Sequence, residues 1–501
     1  MVLEGLKLAL SFGNILTAFV FTTFGIVIGA LPGLGASMAM ALVLPMTFGW
    51  RADTAIIALV SIYCGATYGG SISAILINAP GTPASGATVF DGYPMAQKGE
   101  ADKALGISAM ASFVGGLAGA LVLFLVAPPF ANFVLNFGPP EFFLLAIFGL
   151  TIISAVGKGQ MLKGLIAGGL GLTLSFIGMD VMSGFMRFTF GSYYLEDGIN
   201  SIAVMIGLFA ISEVIVMSES SEGAISNVDT KVGSFSKVFQ GCKTVFMYPI
   251  TLIRSTIIGC IVGALPAMGV TTASLVSYLI TVRTSKHPET FGKGNPEGVL
   301  SPEAANNAVT GTALIPTFTL GIPGSGAAAI ILGALTIHGL LPGPDLFRVN
   351  AQYTYSMLWG LIIANFMMMA LSLLGAGLFS RVTIVKKGIL IPSVLVLCVA
   401  GAFALNRSWG DVVTAIVFGV VGYVFKKLKY PQLGLILGLI LGPIAETAFH
   451  QSMRISGGNW RIFISRPISL FILACIAISL AYPVYLEIKY RASKTSEPIQ
   501  T

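Results

Sequence analysis

Long apolar runs, interrupted by glycine and proline, constrain the fold of this chain more than any other feature. Several runs reach or exceed the roughly 20 residues that an α-helix needs to cross a bilayer; examples are residues 8–31, 105–128, 357–379 and 467–484. Only 10% of the 501 residues are charged, whereas an ordinary soluble domain carries about 25%. The sequence therefore excludes a soluble fold and predicts an all-α polytopic membrane protein.

A glycine-rich motif interrupts these runs at matching places in two halves of the chain. It reads GALPGLG from Gly29 and GALPAMG from Gly263. A second motif follows each copy, reading NAPGTP from Asn78 and GIPGSG from Gly321. In a membrane protein, glycine and proline breaks at corresponding positions of two halves are the best sequence indication of a transporter binding site.

These motifs predict two transmembrane repeats. Residues 1–217 form the first repeat and residues 248–448 the second, with a cytoplasmic linker at 218–247. Residues 449–501 add an extra C-terminal span and a cytoplasmic tail. Because lysine and arginine collect in short cytoplasmic loops, the basic loops give the orientation. They occupy alternate positions in the two halves, which predicts inverted-topology repeats with broken helices or re-entrant hairpins.

The four motifs are expected to meet in one cavity, because non-helical backbone at membrane depth must be buried in protein or line water. A helix that begins after Pro-Gly presents free N–H groups that can bind an anion, and Ser, Thr and Asn can add hydrogen bonds to a carboxylate. The predicted substrate-binding residues are Gly33, Gly35, Ser37, Asn78, Gly81, Thr82, Asn306, Asn307, Thr310, Gly324 and Ser325. The predicted cation-binding residues are Ser71, Ser73, Thr271, Thr272 and Thr312.

Alternative interpretations stay open for several of these residues. Glycine in a membrane helix often serves only close packing, and a buried serine can bond its own helix. Glu213 and Glu446 occupy matched positions and are either intramembrane ion or proton sites or helix-end residues near the headgroups. Glu303 is interpreted as an acid in the first turn of a helix, where it stabilises the helix dipole. A Ser325–His338 protease pair is also weighed, although the Gly-x-Ser-Gly pattern fails.

The remaining composition indicates neither a cofactor nor a nucleic-acid partner. The net charge of +7 comes from residues scattered in short loops rather than from a basic stripe. The five cysteines show no metal-ligand spacing, and the presence of a metal site is left open. Unwound backbone carbonyls can coordinate a small cation, so the expected coupling ion is Na⁺ or H⁺. Abundant neutral oxygens favour Na⁺.

The motifs resemble those of one family, the large membrane subunit of the tripartite tricarboxylate transporters. The resemblance spans nearly the whole chain, and one departure occurs at Ala267-Met268, where Pro-Gly would be expected. The stretches that carry it begin at Gly29 (GALPGLG), Tyr68 (YGGS), Ile75 (ILINAPGT), Asp91 (DGYPM), Ser301 (SPEAANNA) and Leu320 (LGIPGS).

This resemblance implies a multi-pass protein of the bacterial inner membrane. Its implied partners are a small membrane subunit of about four helices, a periplasmic solute-binding protein and the membrane lipid. It implies the import of di- and tricarboxylates, such as citrate, by cation symport. A gated organic-anion channel is the alternative. A membrane enzyme ranks last, because the sequence shows no ordered set of nucleophile, base and orienting group.

Overall fold

The computed structural model describes residues 1–155, 161–180, 182–219, 233–266, 268–382 and 387–495. The helices before the predicted linker are α1 (Val2–Ala9), α2 (Phe12–Ala30), α3 (Ala36–Val43), α4 (Ala52–Ile77), α5 (Val89–Gln97), α6 (Ala101–Val134), α7 (Pro139–Ala155), α8 (Met161–Ser175), α9 (Ser201–Met205) and α10 (Ser212–Glu219). A π-helical segment, Ile206–Ile211, joins α9 to α10.

The later helices are α11 (Phe235–Val245), α12 (Pro249–Ala264), α13 (Gly269–Thr284), α14 (Pro296–Thr312), α15 (Leu314–Leu320), α16 (Gly326–Ile337), α17 (Pro344–Arg348), α18 (Ala351–Val382), α19 (Lys387–Asn406), α20 (Trp409–Lys427), α21 (Gln432–Ile455), α22 (Ile462–Ser465) and α23 (Pro467–Thr495). Short 3-10 turns lie at Leu44–Thr47, Pro83–Gly86, Tyr193–Leu195 and Pro288–Thr290. Strands β1 (Gly178–Met179) and β2 (Met186–Arg187) pair antiparallel, with Gly178 opposite Arg187.

Eight helices in the described part of the chain are long and apolar enough to cross a membrane. They are α2, α4, α6, the continuous helix α9–α10, and α18 to α21. The pair α11 and α12 forms a further candidate, bent by 80° at the break between the two helices. The apolar part of α23, at Pro467–Ala481, is shorter. The architecture confirms the prediction of an all-α polytopic membrane protein.

The predicted linker contains more structure than a solvated loop. Residues 220–232 lie outside the described residues, but α11 forms within the linker and packs against α14 and α18. Val238 and Cys242 are buried on its packed face. A Cβ on Gly241 would lie 2.2 Å from the carbonyl oxygen of Lys103. The predicted linker is therefore not an unpacked connection at α11, which is an integral part of the packing.

The described chain separates into two compact units, and each unit contains segments from both sequence halves. The first unit comprises Met1–Asn132 and Met205–Val420, and the second comprises Phe133–Val204 and Val421–Thr501. In the second unit α7 and α8 pack on α21. In the first unit α19 packs on the π-helical segment and on α10. The boundaries and the inversion of the two sequence repeats remain predictions.

Helix α4 forms the centre of the first unit. The 18-residue apolar window that makes it a candidate span is entirely buried, and α2, α3 and α18 pack around it. Its glycine, alanine and serine residues permit this, because small side chains let helix backbones approach closely. A site built on α4 is therefore held by a rigid element.

Equivalent glycines bring the helices together in the two halves. A Cβ on Gly29 of α2 would lie 2.3 Å from the carbonyl oxygen of Ala66 in α4. A Cβ on Gly263 of α12 would lie 2.1 Å from Thr312 Oγ1 in α14. In both places the glycine begins the first motif, so the motif starts where two helices are in close contact.

We predict that Gly29→Ala lowers the free energy of unfolding by about 1–3 kcal/mol, the usual effect of overpacking. The new methyl group would collide with the backbone of α4. Gly13→Ala in the same helix is the matched control, since a Cβ on Gly13 meets nothing within 4 Å. The measurement is thermal unfolding of the detergent-solubilised protein. Equal melting temperatures for the two variants would contradict the close contact.

Candidate functional site

All four motifs break helices, as predicted. In the first half α2 ends at Ala30 and α3 begins at Ala36, with Gly33 between them at a φ of 86°. In the second half α12 ends at Ala264 and α13 begins at Gly269. Position 267, where the motif departs from the family pattern, lies outside the described residues. A helix start thus follows the first motif in each half.

The second motifs break the chain through matched left-handed residues. Asn78 follows α4 with a φ of 57°, and Gly321 follows α15 with a φ of 70°. Asparagine and glycine are the residues that most readily adopt this conformation at the C-terminus of a helix. The exposed Asn78 therefore has a structural reason to be asparagine, beside its predicted role in substrate binding.

Within each half, the first and second motifs touch. A Cβ on Gly81 would lie 1.9 Å from the carbonyl oxygen of Gly29. A Cβ on Gly324 would lie 3.5 Å from the carbonyl oxygen of Gly263. The amide of Gly81 also donates to the carbonyl of Gly70 in α4, at 3.1 Å. These contacts hold each broken segment against the helix break that precedes it.

Between halves, the motifs pair crosswise. The first motif of the first half meets the second motif of the second half: a Cβ on Gly326 would lie 2.9 Å from Ser37 Oγ. Ser325 Oγ is 3.4 Å from the hydroxyl of Tyr63 in α4. The 3-10 turn Pro83–Gly86 packs in turn against α13. The four motifs therefore converge within the first unit.

The convergence places the N-termini of α3 and α16 beside each other. Ser37 lies in the first turn of α3, and Ser325 is the N-cap of α16, where its Oγ accepts from the amide of Ala328 at 3.2 Å. A helix N-terminus carries free N–H groups and a partial positive charge. Two such ends, with hydroxyl groups between them, can bind an anion without a lysine or arginine.

The predicted residues differ in accessibility. Gly33 and Asn78 are exposed, whereas Gly35, Ser37 and Ser325 are half-buried. Thr271 and Thr272 lie half-buried in the first turn of α13. The other predicted residues are buried: Ser71, Ser73, Gly81, Thr82, Asn306, Asn307, Thr310, Thr312 and Gly324. A ligand could reach the exposed and half-buried residues directly. It could reach the buried residues only after a rearrangement.

Several buried hydroxyls bond their own helices. Ser71 donates to the carbonyl of Tyr68 at 2.5 Å, and Ser73 donates to that of Gly70 at 3.3 Å. Thr310 and Thr312 donate to carbonyls three and four residues earlier in α14. These are the local bonds that serine and threonine commonly make in helices. They match the alternative interpretation of these hydroxyls, and the predicted role of Ser71, Ser73 and Thr312 as cation ligands stays a prediction.

Asn306 and Asn307 belong to a buried polar network. The Asn307 amide nitrogen donates to Ser112 Oγ of α6 at 2.8 Å and to Asn306 Oδ1 at 2.6 Å. Among the described residues, Asn307 Oδ1 and Asn306 Nδ2 have no hydrogen-bond partner. Because buried polar atoms are normally satisfied, these two atoms are the free hydrogen-bonding capacity of the network.

The first-turn interpretation of Glu303 is wrong. The first turn of α14 contains Glu297, and Glu303 lies six residues further along with a completely buried side chain. Thr88 Oγ1 donates to Glu303 Oε1, and Ser112 Oγ donates to Oε2 at 3.0 Å. The sequence could not show this, because the hydroxyl partners come from two other elements.

The two matched acids Glu213 and Glu446 have different surroundings. In the first unit, a Cβ on Gly33 would lie 3.6 Å from Glu213 Oε1, so this carboxylate lies beside the first motif. In the second unit, Glu446 accepts two hydrogen bonds from Arg187, at 2.6 and 3.0 Å. Glu213 is therefore a neighbour of the candidate site, whereas Glu446 belongs to an ion pair.

Comparison with known proteins agrees with the motif geometry. The family model described as "Tripartite tricarboxylate transporter TctA family" matches residues 15–437. The chain belongs to the TctA family. An uncharacterised 52.8 kDa protein from the ttuC′ 3′ region of TAR-I in Agrobacterium vitis is 37% identical over 490 residues, covering 95% of each chain. An uncharacterised protein from the ttuC′ 3′ region of TAR-II is 34% identical over 226 residues, or 44% of this chain and 93% of its own.

Membership of the TctA family makes this protein a component of a tricarboxylate transporter.

The alternative of a Ser325–His338 protease pair fails on geometry. Ser325 precedes α16 and His338 follows it, and a helix of 12 residues is about 18 Å long at 1.5 Å per residue. Partial burial lowers the pKa of His338. The two side chains are too far apart for proton transfer between them.

Some residues at the TctA motifs could not be found from sequence. Phe209 Cζ would lie 2.9 Å from a Cβ on Gly326, so its ring adjoins the start of α16. It belongs to the π-helical segment, and such segments frequently mark functional sites. Nothing in the apolar run around Phe209 predicts a change of helix type. The contact of Tyr63 with Ser325 also has no sequence signal.

Asp91 of the DGYP stretch fastens α5 to the start of α14. Its Oδ1 accepts from the amides of Gly294 and Asn295 at 2.9 and 2.8 Å. Its Oδ2 accepts from the hydroxyl of Tyr278 at 3.0 Å. The carboxylate is completely buried, and a negative charge beside a helix N-terminus is stabilising. Asp91 therefore fixes the segment that follows the Asn78 motif.

We predict that Asp91→Ala lowers the free energy of unfolding by about 2–3 kcal/mol, because it leaves two buried amides without their charged acceptor. Tyr278→Phe removes one donor and should cost about 1 kcal/mol. Thermal unfolding of the solubilised variants gives the comparison. A larger loss for Tyr278→Phe than for Asp91→Ala would show that the carboxylate is not the fastening group.

Proposed function

We propose that this TctA-family protein is the translocating subunit of a binding-protein-dependent secondary transporter. It imports di- and tricarboxylates of the citrate type by symport with Na⁺ or H⁺. It acts in the bacterial inner membrane with a small membrane subunit of about four helices and a periplasmic solute-binding protein. The tripartite character of the family supports these partners, and the apolar helices support a multi-pass location.

The facing N-termini of α3 and α16 carry this proposal. They come from opposite halves of the chain and meet through Ser37 and Gly326. Their N–H groups and partial positive charges suit a carboxylate. The Ser37 and Ser325 hydroxyls and the Tyr63 hydroxyl lie at the same place and can donate to it. A substrate with several carboxylates can engage both helix ends at once.

The location also suits alternating access. Discontinuous helices whose ends point at the substrate are typical of transporters with repeats, in which one set of helices moves against another around a central site. The crosswise motif contacts join the two halves at the proposed site. A bound carboxylate would thus contact groups from both halves, and its binding would be coupled to their relative position.

The proposed function is tested by uptake of labelled citrate into proteoliposomes. They contain this chain with its small membrane partner, the binding protein is added outside, and a Na⁺ or H⁺ gradient is imposed. Accumulation above the outside concentration that requires the binding protein is expected. Flux that only equilibrates the two sides would instead indicate the gated organic-anion channel. Absence of carboxylate flux from folded complex would contradict both.

We predict that Ser37→Ala raises the half-saturating carboxylate concentration about 10- to 100-fold, because a hydrogen bond to a charged group contributes roughly 1.5–3 kcal/mol. Ser393→Ala is the matched control: Ser393 is exposed on α19 and bonds the carbonyl of Ile389 in its own helix at 2.8 Å. Concentration-dependent uptake is the measurement. Unchanged half-saturation in Ser37→Ala would remove this residue from the site.

Asn78→Ala and Asn307→Ala test the wider site. If both asparagines contact the substrate or position the residues that bind it, both variants transport less for the same amount of protein in the membrane. The comparison needs correction for folded protein, because Asn78 also ends α4 in a left-handed conformation. Normal uptake by both variants would show that the substrate-binding assignment of these residues is wrong.

A further inference from the structure

We propose that Glu303 is the site where the transporter takes up and releases its coupling proton. This inference rests on the proposed cation-coupled import and selects H⁺ as the coupling ion. It begins from the position of one carboxyl group, completely buried in α14. In the described part of the chain, no lysine, arginine or histidine forms an ion pair with it.

The carboxyl group of Glu303 is enclosed by hydroxyls. Thr88 Oγ1 donates to one carboxyl oxygen and Ser112 Oγ to the other. Ser71 and Ser108 face the same group, and their Oγ atoms are 2.7 Å apart. A hydroxyl can donate to a carboxylate or accept from a carboxylic acid. This shell therefore suits the carboxyl group with and without its proton.

The charged groups on neighbouring elements do not neutralise Glu303. Tyr68 of α4 interacts electrostatically with Glu303, and Cys242 of α11 interacts with Tyr68. The other titratable or charged groups on the packed elements include some with hydrogen-bond or ion-pair partners of their own: Asp53, Tyr63 and Cys64 of α4, Asp91 of α5, Asp102 and Lys103 of α6, Arg254 of α12, Tyr278 of α13 and Glu297 of α14 itself. The rest are partly or fully exposed: Tyr93 of α5, Lys237 and Lys243 of α11, Cys260 of α12 and Arg283 of α13.

The free energy of burial then favours a proton. An ionised carboxylate without a cation is expensive to bury, and such a group becomes neutral by binding a proton. A metal cation would need space between the carboxyl oxygens and their neighbours. Thr88 and Ser112 instead contact those oxygens directly, so a proton fits there without displacing either hydroxyl.

The position of Thr88 connects this proton to substrate transport. Thr88 lies two residues after the 3-10 turn Pro83–Gly86 of the Asn78 motif and is the N-cap of α5. Ser112, the second donor, is also bound by Asn307 at 2.8 Å. A movement of the motif relative to α14 would separate Thr88 from Glu303 and admit water. The carboxylate takes one proton from water on the outer side, becomes a neutral acid, and returns that proton to water on the inner side.

Infrared difference spectroscopy of the solubilised full chain tests the proton directly, without transport. The expected result is a protonated-carboxyl band that Glu303→Gln removes and Glu303→Asp shifts. Ser112→Ala should also shift it, because the variant removes a hydrogen bond to the carboxyl group. Glu297→Gln is the matched control, since Glu297 lies on the same helix and is bonded by Thr251 instead. Absence of any Glu303-dependent protonated band across the pH range of the folded protein would overturn the proposal.

Reconstituted complex tests the coupling. A pH-sensitive dye inside the vesicles should report proton entry with citrate in the wild type. Glu303→Gln should lose both this signal and accumulation driven by a pH gradient, and any exchange of citrate that remains should be independent of pH. Glu297→Gln should keep the wild-type proton entry, the accumulation driven by a pH gradient and the citrate exchange. Citrate accumulation without proton entry, or proton entry retained in Glu303→Gln, would overturn the role of Glu303. Absence of citrate transport by the wild type would instead contradict the proposed function, while the infrared result still decides whether Glu303 holds a proton.

Discussion

Close backbone contact at glycine residues is the interaction on which the rest of the structure depends. Gly29 lies against Ala66, and Gly81 lies against the carbonyl of Gly29. Neither position has space for a side chain, and both lie where a helix is broken. Broken helices at membrane depth need protein around their exposed backbone groups. The glycines meet this need by bringing other backbones within contact distance, which also brings the helix ends of different segments together.

The sequence predicted the parts of this arrangement that depend on local chemistry. Apolar length predicted the membrane helices, and glycine with proline predicted all four breaks. Ser37 and Ser325 were identified because they directly follow those breaks. The contact of Ser37 with Gly326 at the start of α16 is consistent with the expectation that the motifs meet.

Other features depend on which segments become neighbours, and a single sequence does not contain that information. Glu303 is an acid near the start of a polar segment when read along the chain, but its partners Thr88 and Ser112 are distant in sequence. The ring of Phe209 reaches Gly326 from a stretch that looks like any other apolar run. In α11, Val238, Cys242 and Val245 recur at the spacing of one helix face, but the sequence does not show that α14 and α18 are the helices that pack against α11.

The exchange of helices between the two sequence halves constrains how this protein is made. In the second unit α7 and α8 pack on α21, which the ribosome produces much later. A Cβ on Gly171 of α8 would lie 2.0 Å from the carbonyl of Leu435, so this surface is shaped for one specific helix. Until α21 is synthesised, this surface of α8 is without its partner helix and is covered by lipid or by an insertion factor. The order of synthesis thus leaves the second unit unfinished until the chain is nearly complete.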